Sequence, residues 1–576
     1  MRGTIPISVE QGERGLTRWD ALAVLLTLGV LVFVTEASRH LLQPLAELQL
    51  APLSLAPENL PEYAARTTLR MLLALALSLV FTFTYATFAA KSRRAEVLLV
   101  PLLDILQSVP ILGFISVTVV FFMSLAPGRV LGAEFAAIFA IFTSQAWNMA
   151  FSFYQSLRTV PVELVEASRT FRLSPWMYFW RVEAPFAMPQ LIWNMMVSMS
   201  GSWFFVVASE AISVGNTTVT LPGIGSYIAL AIEQKDLAAV GWAIGAMLVV
   251  ILIYDQILFR PLVAWADRFR FEQQMGVLPP QSWVLDVLRR SRVVAVLTDR
   301  LTRLWRHTYQ WPLFRMRSVT VADLPGQGHR WGERLWLGFV IALAGLALWR
   351  VVSFVLTSIS PPDAAVAFVA GLATLSRVLI LIAIASAIWV PIGVFVGTRP
   401  RLTQFVQPIA QFLAAFPANV LFPIAVSAIV AFKLSPNIWL SPLMILGTQW
   451  YILFNVIAGA SSIPSEMRDI GTNLQVHGWL WWRKIALPAV FPYYVTGAIT
   501  ASGGSWNASI VAEVASWGDT HLRAVGLGAY IAQATEAGDY PRIVLGIAVM
   551  SLFVVIINRA FWRPLYWYAE RKFRLG

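Results

Sequence analysis

The chain contains no cysteine, and its five histidines are scattered, so that no pair has the spacing of metal ligands on one helix. Disulfides, thiolate metal sites and iron–sulfur clusters are therefore excluded, and we expect no metal site. Charged residues make up only 13% of the 576 residues, whereas hydrophobic residues make up 58%. A soluble protein of this length does not have such a composition, so we expect an integral membrane protein.

A phosphate-binding loop is also missing from the sequence. No stretch matches G-x-x-x-x-G-K-[ST], the pattern whose backbone amides hold nucleotide phosphates. The stretch Ser502-Gly503-Gly504 lies inside an apolar run, where close helix packing explains the glycines better than nucleotide binding does. We therefore expect a transport subunit that is no enzyme and holds no cofactor of its own.

Basic residues outnumber acidic ones and give a net charge of +12, yet nucleic acid is not the expected partner. The basic residues fall in short loops and in one linker between apolar segments. The positive-inside rule places such clusters on the cytoplasmic side of a membrane. Membrane lipid is therefore the expected surrounding, and both termini are expected in the cytoplasm.

Apolar runs long enough to cross a membrane recur along the chain. A helix needs about 20 such residues to span the hydrocarbon core, and we find about twelve runs in two sets of six. In the first half they fall at about 19–35, 67–90, a third run from 97 that contains Pro101 and Pro110, 133–154, 189–212 and 238–259. With the N-terminus inside, residues 166–185 are cytoplasmic and residues 213–236 form an outer loop.

The second half repeats the first, which indicates gene duplication. The offset is 307 residues early in the halves and 303 residues after a shorter loop. Matching elements include Thr67-x-x-Arg70 with Thr374-x-x-Arg377, Trp147 with Trp450, Gly225-x-Tyr227-Ile228-Ala229 with Gly528-x-Tyr530-Ile531-Ala532, and Arg260-Pro261-Leu262 with Arg563-Pro564-Leu565. Because six spans return the chain to its starting side, the repeats are parallel. The expected fold class is an all-α integral membrane protein of two parallel six-helix repeats.

The repeat suggests a division of the chain into five parts. They are an N-terminal span with an outer loop (1–65), a first repeat (66–270), a linker (271–330), the first span of the second half (331–372) and a second repeat (373–576). In the linker, apolar residues recur at helical spacing against six arginines, between turns at PPQSW and DLPGQGHRWG. We expect an amphipathic helix on the cytoplasmic leaflet, with a docking surface for a partner as the alternative.

One polar, arginine-bearing segment occurs in both halves. Its copies are EASRTFRLSPWMYFWRVEAP (166–185) and DIGTNLQVHGWLWWRKIALP (469–488), and in each the acid and the proline are 19 residues apart. The segment resembles the cytoplasmic EAA loop of permease subunits of ATP-binding-cassette (ABC) importers. The residues that carry the resemblance are Glu166-Ala167-Ser168 and Pro185 in the first copy, and Asp469-Ile470-Gly471 and Pro488 in the second.

This resemblance implies a fused permease of the type I importer fold in a bacterial cytoplasmic (inner) membrane. Two copies of a separate ABC ATPase, which use ATP and Mg²⁺, are then expected to dock on the two loops and drive the transport. A periplasmic or lipid-anchored substrate-binding protein is expected to deliver the cargo. Glu166 and Asp469 are expected to orient the loops by pairing or by capping a helix.

Both copies depart from the family pattern at its glycine, where they carry Arg172 and Gln475. Glycine usually allows a tight turn at this position, so the turn is expected to be made in another way. Ser174-Pro175 is one candidate, because serine at the N-cap and proline at the first helical position start a new helix.

Charged residues within apolar runs are costly unless they are paired, and they indicate functional sites. Arg70 and Arg377 begin inward-running spans, and Glu210 and Glu513 end outward-running ones. We expect Arg70 to pair with Glu210 and Arg377 with Glu513, which would close or shape the outer mouth of a pathway. Trp203 and Trp506, seven residues before the two acids, are further pathway candidates. The alternative is a snorkelling arginine and an interfacial glutamate without a functional link.

The cargo is expected to be a small anion. The W-x(6)-E spacing, the G-x-G-x-Y-I-A element and the terminal R-P-L look most like the nitrate, sulfonate, taurine and bicarbonate group of ABC permeases. Fused permeases for ferric iron or thiamine are the alternative within the class. A secondary transporter driven by an ion gradient and a membrane scaffold without transport activity are alternatives from other classes, and the repeated loop argues against the first of them.

Overall fold

Helices form most of the described chain, because an apolar segment in a membrane must satisfy its backbone hydrogen bonds internally. The computed structural model describes residues 19–22, 24, 25, 29, 53–108, 111–214, 217–269, 282–308, 330–461, 463, 467, 470, 471 and 473–573. Within these residues the predicted helical membrane architecture and its duplication are confirmed.

In its described part, the first half consists of helices of very different length, interrupted by a β-hairpin. Its elements are α1 (Leu60–Lys91), α2 (Arg93–Ser108), α3 (Ile111–Leu125), α4 (Val130–Arg158), α5 (Val162–Thr170), α6 (Pro175–Tyr178), α7 (Ala184–Glu210), β1 (Ala211–Val214), β2 (Thr217–Thr220), α8 (Ile224–Glu233), α9 (Leu237–Tyr254) and α10 (Arg260–Ala266). Two linker helices follow, α11 (Trp283–Arg290) and α12 (Arg292–Thr308).

The second half follows the same order. Its elements are α13 (Arg330–Ser358), α14 (Pro361–Gly397), α15 (Pro400–Ala415), α16 (Phe422–Ala431), α17 (Pro436–Trp439), α18 (Ser441–Leu446), α19 (Gln449–Ser461), α20 (Gly478–Trp481), α21 (Leu487–Ala512), β3 (Val514–Trp517), β4 (Thr520–Arg523), α22 (Leu527–Ala537), α23 (Tyr540–Ile557) and α24 (Arg563–Phe573).

The number of uninterrupted spans is smaller than the expected twelve. Among the described residues eight helices are long and apolar enough to cross a membrane, or nine if α17–α18 and α19, which meet at a 43° bend, form one span. The expected third span is instead two shorter helices in each half, α2 with α3 and α15 with α16. Most of the expected first span, 19–35, and Pro110 lie outside the described residues.

The expected outer loop at 213–236 has regular structure. β1 pairs with β2 in an antiparallel hairpin, and α8 follows after a short turn. β3, β4 and α22 repeat this arrangement in the second half. Hydropathy did not indicate these elements because the strands are four residues long and the helices are too short to span.

Among the residues that the structure describes, four π-helical turns occur at matching positions in the two halves. Phe179–Glu183 and Trp482–Ala486 precede α7 and α21, while Asp255–Phe259 and Asn558–Trp562 follow α9 and α23. Both pairs are separated by the 303 residues found in the sequence repeat. Widened turns of this kind are rare and occur mostly where a helix serves a function, so their duplication supports a common design for both halves.

Small residues allow close helix packing in the second half. A side chain on Gly393 of α14 would overlap Val456, and one on Gly397 would overlap Ala460, both on α19. Glycine and alanine at a helix interface let backbones approach closely, which is the main source of attraction between helices in lipid.

The chain divides into two compact units. One contains residues 1–36, 160–189 and 255–322, and the other contains residues 37–159, 190–254 and 323–576. This division unites segments from different predicted domains, and the predicted domain boundaries stay a prediction.

The linker forms two helices rather than one, with a break at Ser291. Asp20 is buried there, and its carboxylate accepts hydrogen bonds from Ser291 Oγ (2.9 Å) and Val293 N (3.1 Å) at the start of α12. An acidic side chain in this place satisfies free amides and favours the helix dipole. Apolar side chains on α12, such as Leu301 and Leu304, are more than half exposed, as an amphipathic helix requires. Contact with lipid stays a prediction.

Candidate functional site

The first of the two repeated loops ends its helix in a tight turn. α5 carries Glu166, Ala167 and Ser168, and Leu173 N donates to Ser168 O at 3.1 Å. Arg172, between them, has a φ of 49°, in the left-handed region. This is the hydrogen-bond pattern with which many helices end, usually with glycine at the left-handed position.

The second loop makes the same turn. Val476 N donates to Gly471 O at 2.8 Å, and Gln475 has a φ of 53°. The expectation that the missing glycines require another kind of turn is therefore wrong, because Arg172 and Gln475 adopt the conformation that glycine would favour. Ile470 is exposed, whereas Asp469 lies outside the described residues.

A new helix starts in the first loop as expected. Ser174 Oγ accepts a hydrogen bond from Met177 N at 3.3 Å, with Pro175 at the first position of α6. Pro185 and Pro488 lie near the starts of the spanning helices α7 and α21, where a missing amide proton costs little.

Glu210 in the first half lies at the centre of a buried hydrogen-bond network. Its Oε1 accepts from Arg70 Nη1 (2.6 Å) and from Thr67 Oγ1 (2.7 Å), and its Oε2 accepts from Gly225 N (2.6 Å). Thr67 Oγ1 also accepts from Ile224 N at 3.0 Å. The network therefore joins the start of α1, the end of α7 and the first turn of α8, and the predicted pairing of Arg70 with Glu210 is confirmed.

The second half contains a matching network around Glu513, in which the amide of Ala529, one residue beyond the position equivalent to Gly225, binds the carboxylate. Glu513 Oε1 accepts from Arg377 Nη1 (3.0 Å) and Thr374 Oγ1 (2.8 Å), and its Oε2 accepts from Ala529 N (3.1 Å). Thr374 Oγ1 in turn accepts from Leu527 N at 2.8 Å. The predicted pairing of Arg377 with Glu513 is thus also confirmed, whereas the gate function proposed for both pairs stays a prediction.

Two glycines make room for these carboxylates. A Cβ on Gly223 would overlap the carboxylate of Glu210, and one on Gly526 would overlap that of Glu513. The backbone is extended at both glycines, with φ of 179° and −175°, so space and not conformation requires glycine there. The first glycine of each G-x-G-x-Y-I-A element therefore has a physical reason.

The two networks differ in one carboxylate. Arg70 also donates through Nε and Nη2 to both oxygens of Glu134, at 2.6 Å each, so that it lies between two acids. The residue 303 positions after Glu134 is Asn437, whose Oδ1 accepts from Val525 N at 2.8 Å. Arg377 instead donates its second hydrogen bond to the carbonyl oxygen of Val525 at 2.7 Å.

Trp203 and Trp506 are packed side chains, each 2% exposed. Trp203 contacts Tyr254 edge to face at 5.8 Å between centroids, and Trp506 stacks on Phe553 at 6.3 Å. Neither tryptophan lines the cavity described next, and their predicted pathway role stays a prediction.

A cavity of about 80 Å³ lies where the two halves meet. α7 of the first half contributes Phe204 and Phe205 to its wall, and the second half contributes Thr448, Tyr451 and Asn507. Among the residues that the structure describes, no charged side chain lines this cavity, and Arg70 and Arg377 lie elsewhere.

The family pattern of binding-protein-dependent transport system inner membrane components matches residues 82–263 and again residues 389–562. These two matches cover more than half of the chain and one repeat each. The chain belongs to this family. The permease therefore has the helical membrane fold of type I importer permeases, and a secondary transporter of another family is set aside.

Relatives of the permease transport small solutes. It is 28% identical over 186 residues to the nitrate import permease protein NrtB of Leptolyngbya laminosa, covering 32% of this chain and 63% of the relative. It is 29% identical over 188 residues to the bicarbonate transport system permease protein CmpB of Synechococcus elongatus, covering 33% and 64%.

A third relative has a different cargo in its name. The glycine betaine/proline betaine transport system permease protein ProW of Escherichia coli is 29% identical over 192 residues, covering 33% of this chain and 50% of the relative. The matches thus span less than two thirds of the length of these curated relatives.

Sequence reasoning missed two kinds of residue in the permease. Glu134 lies at the beginning of an apolar run. From that position the sequence did not indicate that Glu134 is buried and pairs with Arg70. Thr67 and Thr374 were recognised as part of the repeat but not as partners of the acids. The signal for all three residues was their place at the predicted outer ends of the apolar runs, where the charges already identified also lie.

Proposed function

We propose that the permease is the membrane component of an ATP-driven importer of a small monovalent anion such as nitrate or bicarbonate. Two copies of a separate ATPase dock on the segments 166–185 and 469–488, and a periplasmic or lipid-anchored binding protein delivers the anion. ATP and Mg²⁺ act in the ATPase. The chain lies in the bacterial inner membrane with both termini in the cytoplasm.

The single observation that supports this proposal most is a matching pair of exposed apolar side chains. Phe171 is 73% exposed at the end of α5, and Leu474, at the equivalent position of the second loop, is 70% exposed. Each is followed by the residue of positive φ, so each stands on a rigid turn. Two equal apolar contacts of this kind suit two identical partner subunits.

Docking is tested by replacing these two side chains. Phe171→Asp and Leu474→Asp are each expected to reduce co-purification of the ATPase by tenfold or more, since a charge replaces an apolar anchor at an interface. Phe432→Asp is the matched control, because Phe432 is 75% exposed but lies between α16 and α17. Normal ATPase binding by both loop variants would contradict the proposed docking site.

Cargo is tested by uptake into liposomes that contain the permease with its ATPase and binding protein. We expect ATP-dependent uptake of labelled nitrate or bicarbonate and none without ATP. The same assay with labelled ferric iron or thiamine tests these two alternative cargoes. Uptake that needs no ATP would contradict the importer mechanism.

Glycine betaine is the second candidate cargo. The betaine permeases among the relatives and the phenylalanines of the cavity favour it, since aromatic faces attract quaternary ammonium groups. Competition between labelled nitrate and an excess of glycine betaine in the uptake assay distinguishes the two cargoes.

A further inference from the structure

Among the polar side chains that line the cavity between the halves, one hydroxyl has no hydrogen-bond partner among the described residues. Ser200 Oγ donates to Met196 O (3.0 Å), and Asn507 donates through Nδ2 to Gly503 O (3.3 Å). Asn507 Oδ1 also accepts from Ile111 N at 2.8 Å.

Thr448 is satisfied in the same way. Its hydroxyl lies 3.0 Å from Ser505 Oγ, and Ser505 donates its own proton to Ala501 O at 2.8 Å. Thr448 Oγ1 also lies 3.5 Å from the carbonyl oxygen of Ile445, so the Thr448 hydroxyl has partners for its proton within the protein. By contrast, the hydroxyl of Tyr451 has no hydrogen-bond partner among the described residues.

The first half leaves space in front of this hydroxyl. A Cβ on Gly201 of α7 would lie 3.2 Å from the Tyr451 oxygen, so any larger residue would crowd it. The position equivalent to Tyr451 in the first half is Asn148, whose Nδ2 donates to Ser198 Oγ at 2.9 Å. Only the second half therefore presents a free donor to the cavity among the residues described.

The helix that carries Tyr451 is broken at the cavity. α18 and α19 meet at a bend of 43°, and Gly447 and Thr448 at the break both line the cavity. α4, the equivalent span of the first half, is continuous from Val130 to Arg158. Broken helices in transporters commonly place a helix N-terminus, with its partial positive charge, beside the solute. The start of α19 lies in this position.

We propose that the Tyr451 hydroxyl and the start of α19 form a contact site for the transported solute, which is a small monovalent oxyanion. This inference rests on the proposed transport function. The small size follows from the cavity of about 80 Å³, since about 10–15 Å³ of such cavity space admits one water molecule. The single charge follows from the neutral lining, because the cost of burying an ion grows with the square of its charge.

The test is Tyr451→Phe in the full permease, assembled with its ATPase and binding protein in liposomes. This change removes the hydroxyl and keeps the ring. Loss of a hydrogen bond to a charged solute is expected to raise the KM for nitrate by about tenfold or more. Gly201→Ala is expected to act in the same direction by crowding the hydroxyl.

Tyr494→Phe is the matched control, because the Tyr494 hydroxyl contacts Ser386 Oγ at 3.0 Å and does not line the cavity. This variant is expected to transport with an unchanged KM. Thermal unfolding of all three variants must resemble that of the original chain, which separates a contact with solute from a loss of folding.

Each remaining outcome has one meaning. If the original chain transports nitrate and Tyr451→Phe has the same KM, the contact site is wrong while the transport function stands. If the original chain takes up a divalent anion such as sulfate as readily as nitrate, the proposed selectivity is wrong. If it takes up no anion at all, the proposed function itself is wrong.

Discussion

The two halves of the permease bury the same acid in the same way and neutralise it differently. Glu210 and Glu513 each bind an arginine, a threonine and a backbone amide, and each needs a glycine opposite. In the first half a second acid, Glu134, encloses Arg70, which is 3% exposed. In the second half Arg377 is 14% exposed, and among the described residues it pairs with one carboxylate, that of Glu513.

This comparison separates the contacts that both halves share from the second carboxylate, which is found in the first half. The acid, the threonine and the glycine connect the end of one span to the start of another, so both halves keep them. The second carboxylate, that of Glu134, occurs in the half that has Pro222, which has no amide proton. At the equivalent position the second half has Val525, whose amide donates to Asn437. The two halves therefore share the buried acid with its arginine, threonine and glycine, and they differ in the number of carboxylates around the arginine.

Removing the arginine should have the largest effect, and it should differ between the halves. Arg70→Met leaves two buried carboxylates without a cation, and breaking a buried ion pair costs about 3–5 kcal/mol. Arg377→Met leaves one carboxylate that still accepts two hydrogen bonds, so we expect a smaller loss. Thermal unfolding in detergent, followed by tryptophan fluorescence, measures both.

The added acid can be tested in the same background. Glu134→Gln combined with Arg70→Met removes one unpaired charge and should recover part of the lost stability. Equal losses for Arg70→Met and Arg377→Met would mean that the second carboxylate of the first half does not add to the cost of losing the arginine.

Substituting the opposing glycines should have a smaller effect, equal in both halves. Gly223→Ala and Gly526→Ala place a methyl group against a buried carboxylate, and overpacking of this kind costs about 1–3 kcal/mol. Gly245→Ala in α9 is the control, because nothing lies within 4 Å of the added atom. The unfolding temperatures of the three variants measure these losses. If Gly223→Ala lowered the unfolding temperature and Gly526→Ala did not, the networks around Glu210 and Glu513 would not be equivalent.

The sequence allowed the repeat, the membrane class and both ion pairs to be predicted, because a fixed offset and charges in apolar runs are local signals. It did not allow Glu134 to be assigned, since an acid at the edge of an apolar run is compatible with contact to water. The turns at Arg172 and Gln475 were misjudged because composition gives a preference for glycine, while the surrounding hydrogen bonds decide the conformation. The cavity depends on which helices meet, which no periodicity reveals.

An ion pair across the halves should contribute a still smaller and salt-dependent effect. Lys235 Nζ donates to Asp519 Oδ2 at 3.0 Å, and Gly518 N donates to Ile232 O at 2.9 Å. The equivalent pair cannot form, since the residue 303 positions after Lys235 is Gly538. If the halves separate here during transport, Asp519→Asn should change the uptake rate by about twofold or less at low salt and not at high salt.

The pH dependence of this pair follows from the same contact. The hydrogen bond and charge of Lys235 hold the pKa of Asp519 below its usual range. A lowered pKa means that the contribution is present above the usual aspartate pKa and is lost as the pH falls through the lowered value. The effect of this pair on uptake should therefore not vary with pH between pH 5 and 8. Arg523→Gln is the control, because Arg523 pairs with Glu536 within the second half. If Asp519→Asn and Arg523→Gln changed the uptake rate equally, the effect could not be assigned to the ion pair between the halves.

The smallest effect is expected where the halves agree most, at the turns of the two repeated loops. Arg172→Gly and Gln475→Gly relieve a left-handed conformation that is unfavourable for residues with a Cβ, but glycine also loses more freedom on folding, so the net gain is about 0.5 kcal/mol. Hydrogen exchange at the amides of Leu173 and Val476, which close the two turns, should slow by about twofold. Alanine at either position keeps the strain and should give no gain. Faster exchange in the glycine variants would mean that contacts of the Arg172 and Gln475 side chains stabilise the turns. These two residues would then do more than replace the family's glycine without harm.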